Sequence, residues 1–360
     1  MRFTFPKWYD LHAHFRQDSL LPLSVQAHLD MACEGFLAMP NTKPPITKVM
    51  GQNTDTSWTI ESYKQELIKA SGIDSEKIIV PLYLTKETTP QMILEGAESG
   101  FLKSCKYYPP HGTTNSEFGA PFQNYMENGV FAAMEEAGVI LNIHGEEHGL
   151  HGESYFGKES NAEDYFYKNH MPELAKKFPN LKVVCEHITT KTAAEFVTHA
   201  NEKIASTITP QHLLYTVADL LQGLKYHLYC LPLVKFEEDQ QALLEAALSG
   251  NAKFFAGTDS APHTHKATTC GCAAGCFTGQ IAPQLYAEAF NLSENNKDVF
   301  EKFLCTNGPK FYDLSQSKSN FSLEKKIQKT SNLTGGEHTF VPLTVGMNRP
   351  DLEWTLSQND

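Results

Sequence analysis

The sequence predicts an α/β fold, a (β/α)8 TIM barrel with a metal site at the C-terminal ends of its strands. Three observations lead there. Eight short apolar segments alternate with amphipathic helical stretches, the pattern of a parallel sheet whose strands are joined by helices. No Gly-rich phosphate-binding fingerprint follows the first segment, which argues against an open dinucleotide-binding sheet. The 360 residues suit one α/β barrel, and no repeat, low-complexity stretch or linker divides them. Residues 1–360 therefore read as a single domain, with a polar C-terminal extension after about residue 315 expected to wrap the outside.

The first strand is expected over 8–14, an aromatic and apolar run ending in His12 and His14. Residues two apart on a strand point to the same side, so both imidazoles can face one ion, and Arg16 continues the series. Further strands are expected over 35–39, 78–84, 102–107, 139–144, 182–187, 204–208 and 253–257. Helices are expected between them over 58–70, 90–99, 163–178, 192–200 and 237–248. Lys106 then falls near the end of the fourth strand, His144 and His187 end the fifth and sixth, and Asp259 lies just past the eighth. Taken singly, these could be a surface lysine, satisfied core histidines and a turn aspartate. Barrel active sites gather at the carboxyl ends of the strands, so six such residues at one end read as a metal site. Lys103 sits three residues before Lys106 and would point to the opposite face.

Imidazoles with a carboxylate suit zinc. A protonated lysine is a poor ligand, but reaction with carbon dioxide turns it into a carbamate able to bridge two ions. A two-metal site makes water nucleophilic at neutral pH and polarises a substrate oxygen. Asp259 would take the proton of the attacking water and return it to a leaving nitrogen, as amide hydrolysis requires.

Composition excludes other classes. Asp and Glu outnumber Lys and Arg by 42 to 30, for a formal charge of -12, which disfavours nucleic acid as a partner. No run of about 18 apolar residues suggests a membrane span. The first residues lack the apolar core of a signal peptide. The eight cysteines are spread along the chain, some inside expected strands, so reduced thiols and a cytoplasmic protein are expected. Cys270, Cys272 and Cys276 are close together, but no fourth ligand for a closed zinc site is evident nearby.

Several segments together resemble the dihydroorotases, specifically the shorter bacterial-type branch within the amidohydrolase superfamily. They include His12-Ala13-His14-Phe15-Arg16, Met39-Pro40-Asn41, Lys106-Tyr107-Tyr108-Pro109 and Asn142-Ile143-His144-Gly145-Glu146. More specific are Glu186-His187-Ile188-Thr189-Thr190, Thr209-Pro210-Gln211-His212, His227-Leu228-Tyr229-Cys230-Leu231-Pro232 and Gly257-Thr258-Asp259-Ser260-Ala261-Pro262-His263. The likeness runs from about Trp8 to Leu314. It implies reversible cyclisation of N-carbamoyl-L-aspartate to L-dihydroorotate in pyrimidine biosynthesis, on two zinc ions per subunit, in a homodimer. By the same resemblance His12, His14 and Asp259 would hold one zinc, and His144 and His187 the other. Lys106, as N6-carboxylysine, would bridge them. Arg16, Asn41 and His263 match positions that grip the substrate carboxylate, and Leu231 and Ala273 match backbone contacts to its ring. Thr113 and Thr114 match a mobile loop, over 109–116, that closes over the substrate. The rival cyclic amidases, dihydropyrimidinase and hydantoinase, would share the metals but have no substrate carboxylate for Arg16. A catalytically silent scaffold relative would be expected to have lost ligands, and a deaminase would not need the Lys106 bridge.

Overall fold

The computed structural model describes residues 1–269 and 271–359. Eight parallel strand positions run in chain order around the molecule. Strand Cys33–Ala38 pairs with Trp8–Ala13 on one side and Ile78–Ile79 on the other, in one sheet. Leu82–Tyr83, Ser104–Tyr107, Ile140–His144, Val183–Glu186, Ile204–Ile208 and Phe254–Ala256 form a second, six-stranded sheet in that order. The third strand, expected to be continuous over 78–84, is two short strands separated by Val80 and Pro81. Proline has no N–H to give the ladder, and the chain changes partner there, from the second strand to the fourth.

The ring closes between the eighth strand and the first. The Asp259 N–H donates to the His12 carbonyl at 2.8 Å, and the His14 N–H to the Ser260 carbonyl at 2.9 Å. Asp10, fully buried, reinforces the seam: its carboxylate accepts from the Thr258 N–H at 2.9 Å and the Thr258 hydroxyl at 2.6 Å, and lies 3.2 Å from buried His28. Gly257 lets the strands approach, because a Cβ there would meet Thr207 Cγ2 at 2.7 Å and His12 Cβ at 3.2 Å. These contacts place the first, seventh and eighth strands, and hence His12 and Asp259, in one packed unit.

The helices fall where the sequence predicts them, at Ile60–Ser71, Pro90–Glu98, Ala162–Lys177, Lys191–His199 and Glu237–Leu248. Threonine or asparagine caps open four of them: the side chains of Thr59, Thr89, Asn161 and Thr190 accept first-turn N–H groups. The segment after 315 is not simply a polar wrapping. Asn320–Lys329 pairs antiparallel with both Arg2–Pro6 and Asp351–Asn359. The apolar face of that sheet buries Phe3, Phe5, Phe321, Leu323 and Trp354. No helix among the described residues is long and apolar enough to cross a membrane.

Candidate active site

His12 lies in the first strand and His14 just beyond it; both imidazoles reach the same carboxylate oxygen. Asp259 Oδ1 is 3.3 Å from His12 Nε2 and 3.0 Å from His14 Nε2. On the other side, His12 Nδ1 is 3.1 Å from Glu186 Oε1. The His187 ring stands 4.8 Å from the rings of both His12 and His144, centroid to centroid. His144 Nε2 contacts Glu146 at 2.7 Å. Lys106 is fully buried, its amine paired with Glu186, whereas Lys103 is exposed. The six residues singled out from the sequence as ligands therefore converge at one end of the barrel.

Glu186 was not among them. Its two oxygens meet His12 and Lys106, and it also accepts from Asn142 Nδ2 at 2.8 Å. Adjacent strand residues normally face opposite sides, so Glu186 and His187 should not both point inward. They do so because His187 leaves the strand with a left-handed backbone, φ 41°. Asp259 and Arg16 are left-handed as well, at φ 51° and 66°. Such conformations cost of order 1–3 kcal/mol each and cluster at functional sites.

The charge state suits a cation. Burial alone would raise the Asp259 carboxyl, but hydrogen bonds from His12 and His14 hold it well below the usual range. Glu186 is likewise lowered, to about 2, because His12 and Lys106 outweigh its burial. Burial pushes His14 down to about 4 and His187 well below the ordinary imidazole value, which keeps both neutral. His12 is the exception: burial would lower it, but Glu186 and Asp259 raise it to about 8, so it gives up a proton when a metal binds. Ionised carboxylates and neutral imidazoles are the forms that ligate metals. The ligand atoms of His12, His14 and Asp259 lie within 4.8 Å of one another, as do those of His12, Glu186 and His187. His187 Nδ1 is also buried with no hydrogen-bond partner. The residues fit divalent ions.

Beside the histidines is a tight cavity of about 20 Å³, roughly the room of one water. His14, Arg16, Asn41, Thr113, Thr114, Leu231 and Asp259 all line it. Arg16 is anchored by its Nε donating to the Pro262 carbonyl at 3.0 Å, and its backbone carbonyl accepts from the Tyr63 hydroxyl at 2.7 Å. Arg16 Nη2 is 3.2 Å from His263 Nε2, which lies 2.7 Å from the Ala274 carbonyl. A carbonyl only accepts, so His263 Nε2 carries the proton. Asn41 Nδ2 donates to the Thr114 carbonyl at 2.9 Å, and Asn115 Nδ2 to the Asn41 carbonyl at 3.0 Å, latching the 109–116 loop over the cavity. Asn41 Oδ1 is buried and unpaired.

Ala273 itself does not line this cavity. The cavity wall is Ala274 and Gly275, while the Ala273 N–H turns away to the Lys266 carbonyl at 2.8 Å. Gly275 has φ 133°, and a Cβ there would meet the Ala261 Cβ at 2.6 Å. This tight turn sets which alanine reaches the cavity. Cys270 lies outside the described residues, and among those described the only grouped ligand atoms are the two sets above.

Comparisons with known proteins agree with one another. No family model matches the chain. It is 39% identical over 363 residues to a dihydroorotase of Halorhodospira halophila, covering 99% of both chains. It superimposes on a Saccharomyces cerevisiae dihydroorotase solved with 5-fluoroorotic acid, with TM-score 0.86, 28% identity and 99% of each chain covered. A Campylobacter jejuni dihydroorotase gives TM-score 0.82 at 29% identity, over 99% of this chain and 97% of that one. A Thermus D-hydantoinase shares the fold, at TM-score 0.72 and 15% identity, over 99% of this chain and 83% of that one.

Proposed function

The chain belongs to the dihydroorotase family, metal-dependent amidohydrolases of pyrimidine biosynthesis that act on a small molecule, and from that premise we propose how its residues divide the work. The reaction is the reversible closure of N-carbamoyl-L-aspartate to L-dihydroorotate. Two zinc ions would be held by His12, His14, His144, His187 and Asp259, together with Lys106 as N6-carboxylysine. When bound, the ions supply Lewis acidity toward a carbonyl oxygen and make water nucleophilic at neutral pH. Burial lowers the Lys106 amine from its ordinary value, although Glu186 pulls the other way.

Arg16 offers a planar fork to the substrate carboxylate and fixes its orientation. Its own Nε is committed to Pro262, so the Nη edge faces the ligand. His263, turned to the Ala274 carbonyl, lies beside that edge without accepting from it, and the free Asn41 Oδ1 accepts an N–H of the ring or ureido group. Ala274, Gly275 and Leu231 form the wall against the ring, and Thr113 and Thr114 cover it. Asp259 is ionised and borders the same cavity; it accepts the proton during attack on the ring amide and returns it to the departing nitrogen. The carrying observation is this adjacency: one carboxylate touches both His12 and His14 and also lines the cavity that holds Arg16.

The protein is further proposed to be cytoplasmic and homodimeric. Leu221, Leu224 and Tyr226, close together in the sequence, are exposed apolar side chains that a partner subunit would cover. Elemental analysis of protein purified without chelator is expected to approach two zinc ions per chain. Native mass spectrometry in bicarbonate should add about 44 Da at Lys106, the mass of a carboxylated amine acting as an oxygen ligand. Active enzyme with neither would overturn the metal-centre reading.

A further inference from the structure

Side-chain hydrogen bonds do not aim the His187 ring. His14 Nε2 has Asp259 at 3.0 Å and His144 Nε2 has Glu146 at 2.7 Å. His12 Nδ1 and His187 Nδ1 are both buried without a hydrogen-bond partner, but His12 Nδ1 still has the Glu186 carboxylate 3.1 Å away. Metal-binding imidazoles are normally aimed by a hydrogen bond from the second ring nitrogen. For His187 the aim has to come from its backbone, which is left-handed at φ 41°, a conformation that persists only where the surroundings impose it.

Two side chains impose it. Before the turn, Thr207 Oγ1 accepts from the His187 N–H at 2.8 Å. After it, the Glu163 carboxylate receives four hydrogen bonds from two consecutive residues. The N–H groups of Thr189 and Thr190 donate at 2.7 and 3.1 Å, the Thr190 hydroxyl donates at 3.2 Å, and the Thr189 hydroxyl completes the set. Glu163 stands in the first turn of helix Ala162–Lys177 and is 2% exposed. It does not line the cavity. Thr190, held this way, also caps helix Lys191–His199 by accepting from the Ala193 N–H at 3.2 Å. The segment after His187 is thus tied to two helices through one carboxylate.

We propose that Glu163 is a positioning residue for the metal held by His144 and His187: by clamping Thr189 and Thr190 it sets the direction of the His187 imidazole. This rests on His187 being a ligand. A carboxylate with a folding role only would alter stability and leave the metal affinity of the folded protein unchanged. A positioning residue alters that affinity. Glutamine at 163 keeps an oxygen for the two backbone N–H groups and offers its amide N–H to the Thr189 hydroxyl, so geometry survives without charge. Alanine removes every contact.

The test is zinc binding to apo-protein, titrated against a chromophoric chelator, with circular dichroism confirming the fold. Four proteins are compared: wild type, His187→Ala, Glu163→Ala and Glu163→Gln. His187→Ala is expected to lose one of two zinc ions; retention of both would refute its role as a ligand and the proposal with it. Glu163→Ala is expected to bind one zinc normally and the other about 10- to 100-fold more weakly, the usual effect of removing a group that orients a ligand. Glu163→Gln is expected to stay close to wild type. Should Glu163→Ala fail to fold, Thr189→Val removes one clamp bond in a similar shape and is expected to weaken the same zinc by a smaller factor. With His187→Ala behaving as expected, wild-type affinity in folded Glu163→Ala, or in Thr189→Val, overturns the proposal. Equal loss in Glu163→Gln and Glu163→Ala also overturns it, since charge and not geometry would then matter.

Discussion

At the scale of single residues, the contrast between Lys106 and Lys103 makes the first prediction. Lys106 is buried against Glu186 and Lys103 is exposed three residues earlier. Lys106→Ala should lose nearly all turnover and part of its metal, whereas Lys103→Ala should keep both; steady-state assays and elemental analysis check this. Arg16→Lys should lower kcat/KM about 10-fold or more, because a charge-assisted fork contributes roughly 1.5–3 kcal/mol and a point charge cannot reproduce it. Glu163 makes a pH prediction for the metal-free protein. Burial pushes its carboxyl up from 4.5 to about 7, against the opposing pull of Lys235 and Thr189. Between these values the folded state binds more protons than the unfolded state, so stability falls as pH rises from about 4.5 to about 7. Urea melts should show a shallower fall for Glu163→Gln, which cannot ionise; parallel profiles would contradict the shift. The period-two spacing made His12, His14 and Arg16 legible in the sequence. Glu186 was not legible, because the parity rule that pairs His12 with His14 excludes Glu186 beside His187, and only the left-handed turn brings both inward. Ala274 and not Ala273 borders the cavity, beside the tight backbone at Gly275, a placement that spacing in the sequence does not determine.

The strands and helices show where local pattern carries and where it stops. Alternating apolar strands and capped helices were readable because each depends on neighbouring residues, such as Thr190 ahead of Lys191–His199. Two features depend on remote partners. Arg2–Pro6 is a strand because residues 320–324 lie beside it, more than 300 positions away. The third barrel strand breaks at Pro81 because it changes neighbours there. The seam between the eighth and first strands is open to direct test. In Gly257→Ala the new Cβ would crowd Thr207 Cγ2 at 2.7 Å and the Cβ of His12 at 3.2 Å. Overpacking of this kind costs about 1–3 kcal/mol. Thermal denaturation should show that loss, accompanied by weaker zinc binding, since His12 is one of the groups displaced.

Across the whole molecule, a protein of net charge -12 handles an anionic substrate, so attraction has to be local, at Arg16 within the cavity. The same fold serves the Thermus D-hydantoinase at 15% identity, so the barrel does not by itself select the substrate. Selection lies instead in the pairing of Arg16 with a carboxylate beside Asp259. The most direct measurement is kcat/KM of the zinc-loaded protein for dihydroorotate and for dihydrouracil, which lacks the carboxylate. A preference for dihydroorotate of at least about 10-fold is expected, the value of a lost charge-assisted hydrogen bond. Equal specificity constants for the two would contradict it.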